Sequence, residues 1–369
     1  MKILKKKIYN FQNNIIDVDF IIMSLLSRFA DLICHLKICQ NLHFDTSKPF
    51  SRQTENTTKK TIGKQCTNLL LQPATEVKSW LNSFNTIIAD GEGVLWIYDK
   101  PIPGAIDALN QLKASGKQIY VCTNNSTQTR QQHTFKAERL GLNIRENELL
   151  CTAHATAQYL KDMQFLKYAY VIGAEALTTE LDAAGIVLHN DSGPDIMHEA
   201  VEKFATEFRK EANVGAVIVG YDTHFSFCKL AKAVTYLKNP DCLFLATNVD
   251  ASSSTGDMVL PGTGSFVAAI EYSTGRKAYV IGKPSANMCM QYIENGLIQP
   301  ENTLMIGDNY QTDMPFGRNL GFQTLLVGTG THTWSDVLHL KKLNGNLVKH
   351  FMPDAYIPKL ADLKYFLRR

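Results

Sequence analysis

Reactive polar side chains stand at the points where apolar, strand-like runs of the sequence end. Asp90 and Glu92 come after the run T-I-I-A, and Lys283 comes after Y-V-I-G. Asp308 and Asp313 come after L-M-I-G. A lysine among several acids is well suited to a site that binds both an anion and a cation. Carboxylate oxygens suit Mg²⁺ and an ammonium group suits phosphoryl oxygens, so this set indicates phosphoryl chemistry.

A further apolar run ends in V-C-T-N-N-S, which places Thr123, Asn124 and Asn125 at its end. Each motif alone has an ordinary structural explanation. D-G-E-G is typical of a tight turn, T-N-N-S of a helix cap, G-K-P-S of a loop, and G-D-x-x-x-T-D of acids at a helix N-terminus. The four motifs in this order, each after a strand-like run, favour a single site.

The segments that must position these residues alternate between strand-like and helical patterns. Helical stretches include Ala105–Ser115, Thr127–Leu140 and Phe266–Thr274, and Gly275 is expected to cap the last of them. Alternation of this kind predicts parallel sheets covered on both faces. Sites in such sheets gather at the carboxyl ends of the strands, which is where the motifs lie.

The composition is that of a globular protein, with 369 residues, 45% hydrophobic and 20% charged. The net charge is +3, but the first 69 residues hold eleven basic and five acidic residues, so the remainder is slightly acidic. We therefore expect neither nucleic acid nor membrane as a partner. The eight cysteines contain no C-x-x-C pair, which favours buried, reduced thiols in the cytoplasm.

Residues 1–65 are interpreted as a basic, disordered leader. Its apolar run from Phe20 is broken by Arg28 and Asp31, so the run is too short to span a membrane. The leader is rich in lysine and contains acids, unlike a typical mitochondrial signal. A cytoplasmic location is expected, and a mitochondrial leader is the alternative.

The combined motifs resemble the haloacid dehalogenase superfamily, whose pattern is D-x-D-G, a strand-end Ser/Thr, a Lys and a pair of acids. Within it they are most similar to the eukaryotic phosphoglycolate phosphatase and pyridoxal phosphatase group, also called 4-nitrophenylphosphatase-like. The resemblance extends roughly from Leu70 to Thr331. It is carried by D-G-E-G-V-L-W, P-I-P-G-A, T-N-N-S-T-Q-T-R, V-G-Y-D-T-H-F-S-F, P-D-C-L-F-L-A-T-N, L-P-G-T-G-S-F-V-A-A-I-E-Y-S-T-G-R, V-I-G-K-P-S and I-G-D-N-Y-Q-T-D.

The resemblance implies an α/β fold with a Rossmann-like, doubly wound parallel sheet and an inserted α/β cap. The core is expected at 66–160 and 275–369, and the cap at 161–274. Homodimer formation through the cap is a further expectation.

The resemblance also implies a role for each matched residue. Asp90 would be the nucleophile that forms an aspartyl-phosphate, and Glu92 the general acid and base. The expected phosphate contacts are Thr123, Asn124, Asn125 and Lys283. The expected Mg²⁺ ligands are Asp90, the backbone carbonyl of Glu92, Asp308 and Asp313.

Glu92 departs from the family pattern, in which this position is aspartate. Glutamate carries its carboxyl about one methylene further out, and a misplacement of about 1 Å can cost about a hundredfold in rate. Slower turnover is therefore expected, with Glu92→Asp raising kcat. Two alternatives are a cap that has adjusted to the longer side chain and a phosphate-binding homologue that has lost useful catalysis.

The implied activity is hydrolysis of small phosphomonoesters, with phosphoglycolate as the first substrate and 4-nitrophenyl phosphate as an artificial one. His224 in Y-D-T-H-F-S-F resembles the phosphoglycolate branch and is expected to contact substrate. The alternative is a hydrogen-bonded histidine beside an apolar strand end. Val249 stands where relatives often carry arginine, which also bears on substrate preference.

Overall fold

The computed structural model of the chain describes residues 66–255, 258–343 and 346–367. The leader at 1–65 therefore lies outside the described residues. The strands are β1 Thr67–Asn68, β2 Thr86–Ala89, β3 Trp96–Ile97, β4 Lys100–Pro101, β5 Gln118–Thr123, β6 Leu149–Cys151, β7 Tyr168–Ile172, β8 Val214–Val219, β9 Leu243–Ala246, β10 Ser252–Thr255, β11 Met258–Pro261, β12 Tyr279–Val280, β13 Thr303–Gly307, β14 Gln323–Val327 and β15 Ala355–Ile357. The α-helices are α1 Ala74–Asn82, α2 Ala105–Ala114, α3 Arg130–Arg139, α4 Thr152–Asp162, α5 Glu175–Ala183, α6 Val201–Glu207, α7 Phe227–Leu237, α8 Thr263–Thr274, α9 Asn287–Glu294, α10 Asp313–Asn319, α11 Trp334–Lys342, α12 Asn346–Phe351 and α13 Lys364–Leu367.

Seven parallel strands form the first sheet, in the order β1-β15-β14-β13-β2-β5-β6. The chain moves outward from β2 through β5 to β6, and later from β13 through β14 to β15 in the opposite direction. Connections that diverge in this way leave a crevice at the carboxyl ends of the two strands between them. The neighbouring strands β2 and β13 lie at this crevice, and their register pairs Ala89 with Ile306.

The central strand β2 is buried on both faces, which explains its continuous apolar sequence. Ile87 and Ala89 join the cluster beneath helices α1 and α2, whereas Ile88 joins the opposite cluster with Met305 and Phe316. The alternation of side chains along a strand sends successive residues into different clusters. The strand therefore holds the residue that follows it in a fixed place. These features confirm the expected α/β fold class with a doubly wound parallel sheet.

A second parallel sheet, in the order β12-β9-β8-β7, is formed by the chain between β6 and β13. Its elements extend beyond the range 161–274 that the sequence assigns to the cap. The strand Tyr279–Val280 pairs with β9 on one side, and apolar residues of α4 such as Ala157 and Leu160 pack on the other face of the sheet. The run before Lys283, interpreted from its sequence only as a strand, thus belongs to the inserted sheet.

Local signals from the sequence match the observed ends of helices. Gly275 caps α8 in a left-handed conformation with φ of 67°, as expected from its position after Y-S-T. Helix α3 begins with a capping box in which the Thr129 hydroxyl and the Gln132 side chain each bind the other's backbone N–H. The six cysteines among the described residues are buried and free. None of the helices in the described ranges has the length and apolar character that a membrane span requires.

An ion pair is buried inside the inserted sheet's domain. Lys229 on α7 donates to the carboxylate of Asp222, and both side chains are almost fully inaccessible. The other oxygen of Asp222 accepts the backbone N–H of His224 at 2.7 Å. Since a buried charge is tolerated when it is paired and hydrogen-bonded, each partner depends on the other.

The variant Lys229→Met is expected to destabilise the protein by about 3–5 kcal/mol, because Asp222 is left buried without its cation. The double variant Lys229→Met/Asp222→Asn should recover part of this loss. Urea unfolding of the two variants beside the wild type measures both effects. A double variant less stable than Lys229→Met would show that the unpaired charge is not the cause.

Candidate active site

Asp90 lies at the crevice between β2 and β13. Its backbone N–H donates to the carbonyl of Ile306 at 2.8 Å, which continues the pairing of the two strands by one residue. Its Oδ1 accepts the N–H of Gly91 at 2.8 Å. The carboxylate is therefore held at the carboxyl end of a fully buried strand, at the position that the resemblance assigns to a nucleophile.

Lys283 is the centre of the site. Its Nζ lies 2.8 Å from Asp90 Oδ1 and 2.8 Å from Asp313 Oδ1, and it also donates to the carbonyl of Cys122 at 3.1 Å. The side chain is almost entirely buried. The lysine reaches the first sheet from the loop that follows β12, which belongs to the second sheet.

The two acids after β13 have different partners. Asp313, the first residue of α10, is fully buried, and its Oδ2 accepts the backbone N–H groups of Asp308 and Asn309 at 3.1 and 3.0 Å. Asp308 Oδ2 accepts the N–H of Thr331 at 2.6 Å. Asp313 thus shapes the loop that carries Asp308, and Asp308 is fixed against the loop after β14.

Burial and mutual repulsion dominate the electrostatics of this cluster. Burial, with Asp313 as a neighbouring negative charge, raises the pKa of Asp308 to about 6. Burial also raises the pKa of Asp90 well above its usual range, against the attraction of Lys283. Burial alone lowers the pKa of Lys283, but the attraction of Asp313 and Asp90 outweighs it, so the pKa is raised well above its ordinary value and the lysine stays protonated.

The three carboxylates suit a hard metal ion. One oxygen each from Asp90, Asp308 and Asp313 lies within 4.8 Å of the others, and all three residues are buried. Three acids facing one lysine leave an excess of negative charge, which a divalent cation would neutralise. Carboxylate oxygens are the ligands that Mg²⁺ prefers, so the donor set fits the ion expected from the sequence.

Gly93 is required by the close packing around Asp308. Its φ is 76°, in the left-handed region that favours glycine, and a Cβ there would lie 2.5 Å from Asp308 Oδ2. Its carbonyl accepts the Thr329 hydroxyl at 2.6 Å. The turn that follows Asp90 is thereby attached to the loop after β14.

The end of β5 and the loop after it bring Thr123, Asn124 and Asn125 to the same edge of the sheet. Thr123 Oγ1 accepts the N–H of Asn125 at 3.1 Å, and Asn125 Oδ1 accepts the N–H and hydroxyl of Thr127. Asn124 accepts the N–H of Lys283 at 2.9 Å and donates to its carbonyl at 3.0 Å. The Asn124 side chain therefore holds the backbone of the lysine, and both of its amide protons are engaged.

Asp250 is a member of this network to which the sequence motifs assign no role; from the sequence, the polar loop that it begins could line the site or be a solvated turn. Its Oδ2 accepts amide protons of Asn124 at 2.9 Å and Asn248 at 2.6 Å. The segment A-T-N-V-D follows β9 of the second sheet, so this carboxylate connects the two sheets beside Lys283. The other site residues were identified because they stand at the ends of strands. The same reasoning applies to Asp250, which lies only four residues after β9.

Glu92 does not belong to the carboxylate cluster through its side chain. Its Oε1 lies 3.1 Å from the Nζ of Lys136 on α3, and its Oε2 accepts the backbone N–H of Tyr98 at 2.9 Å. Tyr98 lies in the turn of the β3–β4 hairpin and has φ of 52°. The donors that hold the longer side chain thus come from α3 and the hairpin, and not from the inserted sheet.

His224 lies in the loop after β8 and is exposed. The start of this loop contacts the first sheet, because Tyr221 N lies 3.4 Å from the hydroxyl of Ser126. The loop is therefore at the junction of the two sheets. A contact between His224 and substrate stays a prediction.

His133 on α3 supports the loop after β5 from below. It is 2% exposed, and burial lowers its pKa to about 4. A neutral ring then donates from Nε2 to the carbonyl of Asn125 at 3.2 Å, and Nδ1 has no hydrogen-bond partner among the described residues. The neutral imidazole fixes the backbone of the T-N-N-S segment.

The buried His133 is expected to make the protein less stable as the pH falls from about 6.5 toward 4. In that interval the unfolded chain binds a proton that the folded chain excludes, at a cost of up to about 3 kcal/mol. His133→Gln keeps a donor for Asn125 and cannot titrate. Urea unfolding at about pH 7.5 and at about pH 5, one above and one below the ordinary histidine pKa, measures the effect. Equal losses of stability by the wild type and by the variant between the two pH values would contradict this expectation.

Comparison with known proteins agrees with this geometry. Residues 87–187 and 152–321 match family profiles described as haloacid dehalogenase-like hydrolase. The chain is 36% identical to glycerol-3-phosphate phosphatase of Rattus norvegicus over 301 residues, covering 79% of this chain and 93% of the rat protein. The chain belongs to the haloacid dehalogenase-like hydrolase family. The resemblance inferred from its motifs is therefore confirmed.

Other members of this family extend the comparison. The chain is 38% identical to chloroplastic phosphoglycolate phosphatase 1A of Arabidopsis thaliana, covering 76% of this chain and 77% of the plant protein. Among solved structures, p-nitrophenyl phosphatase from Archaeoglobus fulgidus superimposes with a TM-score of 0.64 at 25% identity, covering 76% and 98% of the two chains. Because these relatives of the same family are named phosphatases, we assign this family member as a phosphoric monoester hydrolase.

Proposed function

We propose that the protein is a Mg²⁺-dependent phosphatase that cleaves small phosphomonoesters through an aspartyl-phosphate on Asp90. The observation that supports this most strongly is the position of Lys283, 2.8 Å from both Asp90 and Asp313. One ammonium group there orients the nucleophile and places a positive charge beside the position of the transferred phosphoryl group. Phosphoryl transfer needs positioning and charge neutralisation above all, and the cluster supplies both.

In the first step an Asp90 carboxylate oxygen attacks phosphorus. The bond between phosphorus and the leaving oxygen breaks, its electron pair stays on that oxygen, and the carboxyl group of Glu92 supplies a proton to it. In the second step a water molecule attacks the phosphorus of the aspartyl-phosphate. Glu92, now a carboxylate, accepts the proton of that water, and Asp90 leaves with the electron pair of its bond to phosphorus.

Mg²⁺ would be held by Asp90 and Asp308, with the backbone carbonyl of Glu92, and Asp313 would orient the water around it. When bound, the ion supplies positive charge that neutralises the transferred phosphoryl group. Asn124 supports this arrangement indirectly, because its side chain holds the backbone of Lys283. In this proposal Thr123 and the backbone of the T-N-N-S loop face the phosphoryl oxygens.

The proposed substrates are short, charged phosphomonoesters, with 2-phosphoglycolate first and glycerol 3-phosphate second. Relatives named for each are 38% and 36% identical to this chain. The loops of His224 and Asp250 lie at the junction of the two sheets, where the part of the substrate beyond its phosphate would fit. We retain His224 as the proposed contact for the substrate carboxylate.

A phosphate-binding protein without turnover is not favoured by the site. Asp90, Lys283, Asp308 and Asp313 are all present and assembled, and the carboxylate of Glu92 is held by two donors. The relatives of this chain are named as enzymes. The substitution at Glu92 changes the position of an acid and does not remove it.

Asp90→Asn is expected to abolish the Mg²⁺-dependent release of phosphate from 2-phosphoglycolate, because an amide cannot form the acyl-phosphate. Phosphate release with and without Mg²⁺ is the measurement, with glycerol 3-phosphate assayed in parallel. Asp99→Asn, an exposed acid in the nearby hairpin, is the matched control and should keep wild-type activity. Equal release by Asp90→Asn and the wild type would exclude the aspartyl-phosphate route.

Glu92→Asp is expected to lower kcat by about tenfold to a hundredfold, since moving a catalytic group by about 1 Å has effects of this size. The shorter side chain draws its carboxyl away from Lys136 and the N–H of Tyr98. We propose a decrease because of these contacts, whereas the expectation from sequence alone is an increase. Steady-state kinetics on 4-nitrophenyl phosphate decide between the two signs.

A further inference from the structure

Lys136 is a buried cation on the inner face of α3. It is 5% exposed, although lysine is almost never fully buried unless it is paired. Its Nζ lies 3.1 Å from Glu92 Oε1 and 4.9 Å from the centre of the Trp96 ring. A carboxylate and an aromatic face are both environments that compensate an ammonium group away from water. The charge of Lys136 is therefore directed at Glu92.

Glu92 is held at both of its carboxylate oxygens. Lys136 binds Oε1, and the backbone N–H of Tyr98 binds Oε2 at 2.9 Å. The two donors come from a helix and a hairpin turn, so together they fix the plane of the carboxylate. The Glu92 side chain is nevertheless 40% exposed, which leaves it open to an exchange of protons.

Trp96 connects Lys136 to the backbone between the two reactive carboxylates. The indole is buried, and a Cβ on Gly91 would lie 2.9 Å from its Cζ2 atom. The ring is thus packed directly against the glycine that separates Asp90 from Glu92. Lys136 lies over the same ring. Trp96 and Lys136 together therefore support both the turn that follows Asp90 and the side chain of Glu92.

We infer that Lys136 is a positioning residue of the reaction, which holds the carboxyl group of Glu92 where it exchanges a proton with the leaving oxygen. This inference rests on the proposed phosphatase function. Glutamate has one more rotatable bond than aspartate, so its carboxyl group can adopt a wider range of positions unless it is anchored. Lys136 supplies that anchor and does not itself touch the reacting atoms.

The variant Lys136→Met tests the inference. Methionine has a similar length and is apolar, and the half-exposed Glu92 carboxylate can be solvated without its cation. The fold is therefore expected to be kept, with a thermal unfolding midpoint and an inhibition constant for inorganic phosphate close to those of the wild type. Arg139→Met is the matched control, because Arg139 lies on the same helix and pairs with the exposed Asp99 at 3.1 Å.

The measurement is kcat/KM for phenyl phosphate and for 4-nitrophenyl phosphate. The two substrates have nearly the same shape, but nitrophenolate leaves readily without a proton and phenolate does not. A displaced acid therefore harms the phenyl ester selectively. Lys136→Met is expected to lower kcat/KM for phenyl phosphate about tenfold more than for 4-nitrophenyl phosphate, within the range of general acid catalysis. Arg139→Met should leave the ratio of the two unchanged.

A double-mutant cycle with Glu92→Gln separates this role from a purely structural one. If Lys136 acts through Glu92, then Lys136→Met has little further effect in the Glu92→Gln background, because the acid is already absent. An equal loss on both substrates, or a loss that persists in full beside Glu92→Gln, would overturn the inference while the phosphatase function stands. A wild type that hydrolyses neither ester would overturn the proposed function and the inference with it.

Discussion

The structure of the site depends on one buried ammonium group shared by two buried carboxylates. Asp90 and Asp313 approach each other at the end of the central strands because Lys283 lies 2.8 Å from each of them. Without that cation the repulsion and desolvation of the acids would oppose the folding of the crevice. The rest of the arrangement follows from it: β2 and β13 end here, and the loop after β12 must reach here.

The sequence predicts which polar residues the fold brings together where those residues stand at the end of a strand. Asp90 and Asp308 each follow a buried strand of the first sheet and Thr123 ends another, and parallel strands bring their carboxyl ends together. The fold class was predictable for the same reason. The sequence could not show that the strand before Lys283 pairs with the second sheet. This strand has only two residues, and two apolar residues fit equally well into either sheet. Strand pairing is a property of the whole chain.

The contacts of α3 illustrate what sequence patterns conceal. The helix buries His133 and Lys136 and exposes the phenyl ring of Phe135, which is the reverse of the usual amphipathic pattern. Periodicity alone would place the two polar residues in solvent. Their burial follows from specific partners, the carbonyl of Asn125 and the carboxylate of Glu92, that lie elsewhere in the sequence. A helix whose polar residues interrupt its apolar face is itself a signal that such partners exist.

The attachment of Lys283 to a strand of the second sheet has a mechanical consequence. Lys283, Asn124 and Asp250 link the two sheets through hydrogen bonds of 2.9 to 3.0 Å. Any rotation of one sheet relative to the other must carry these hydrogen bonds with it or break them, because the residues that make them belong to both parts. A movement of the second sheet would therefore reach the reacting charges directly through Lys283.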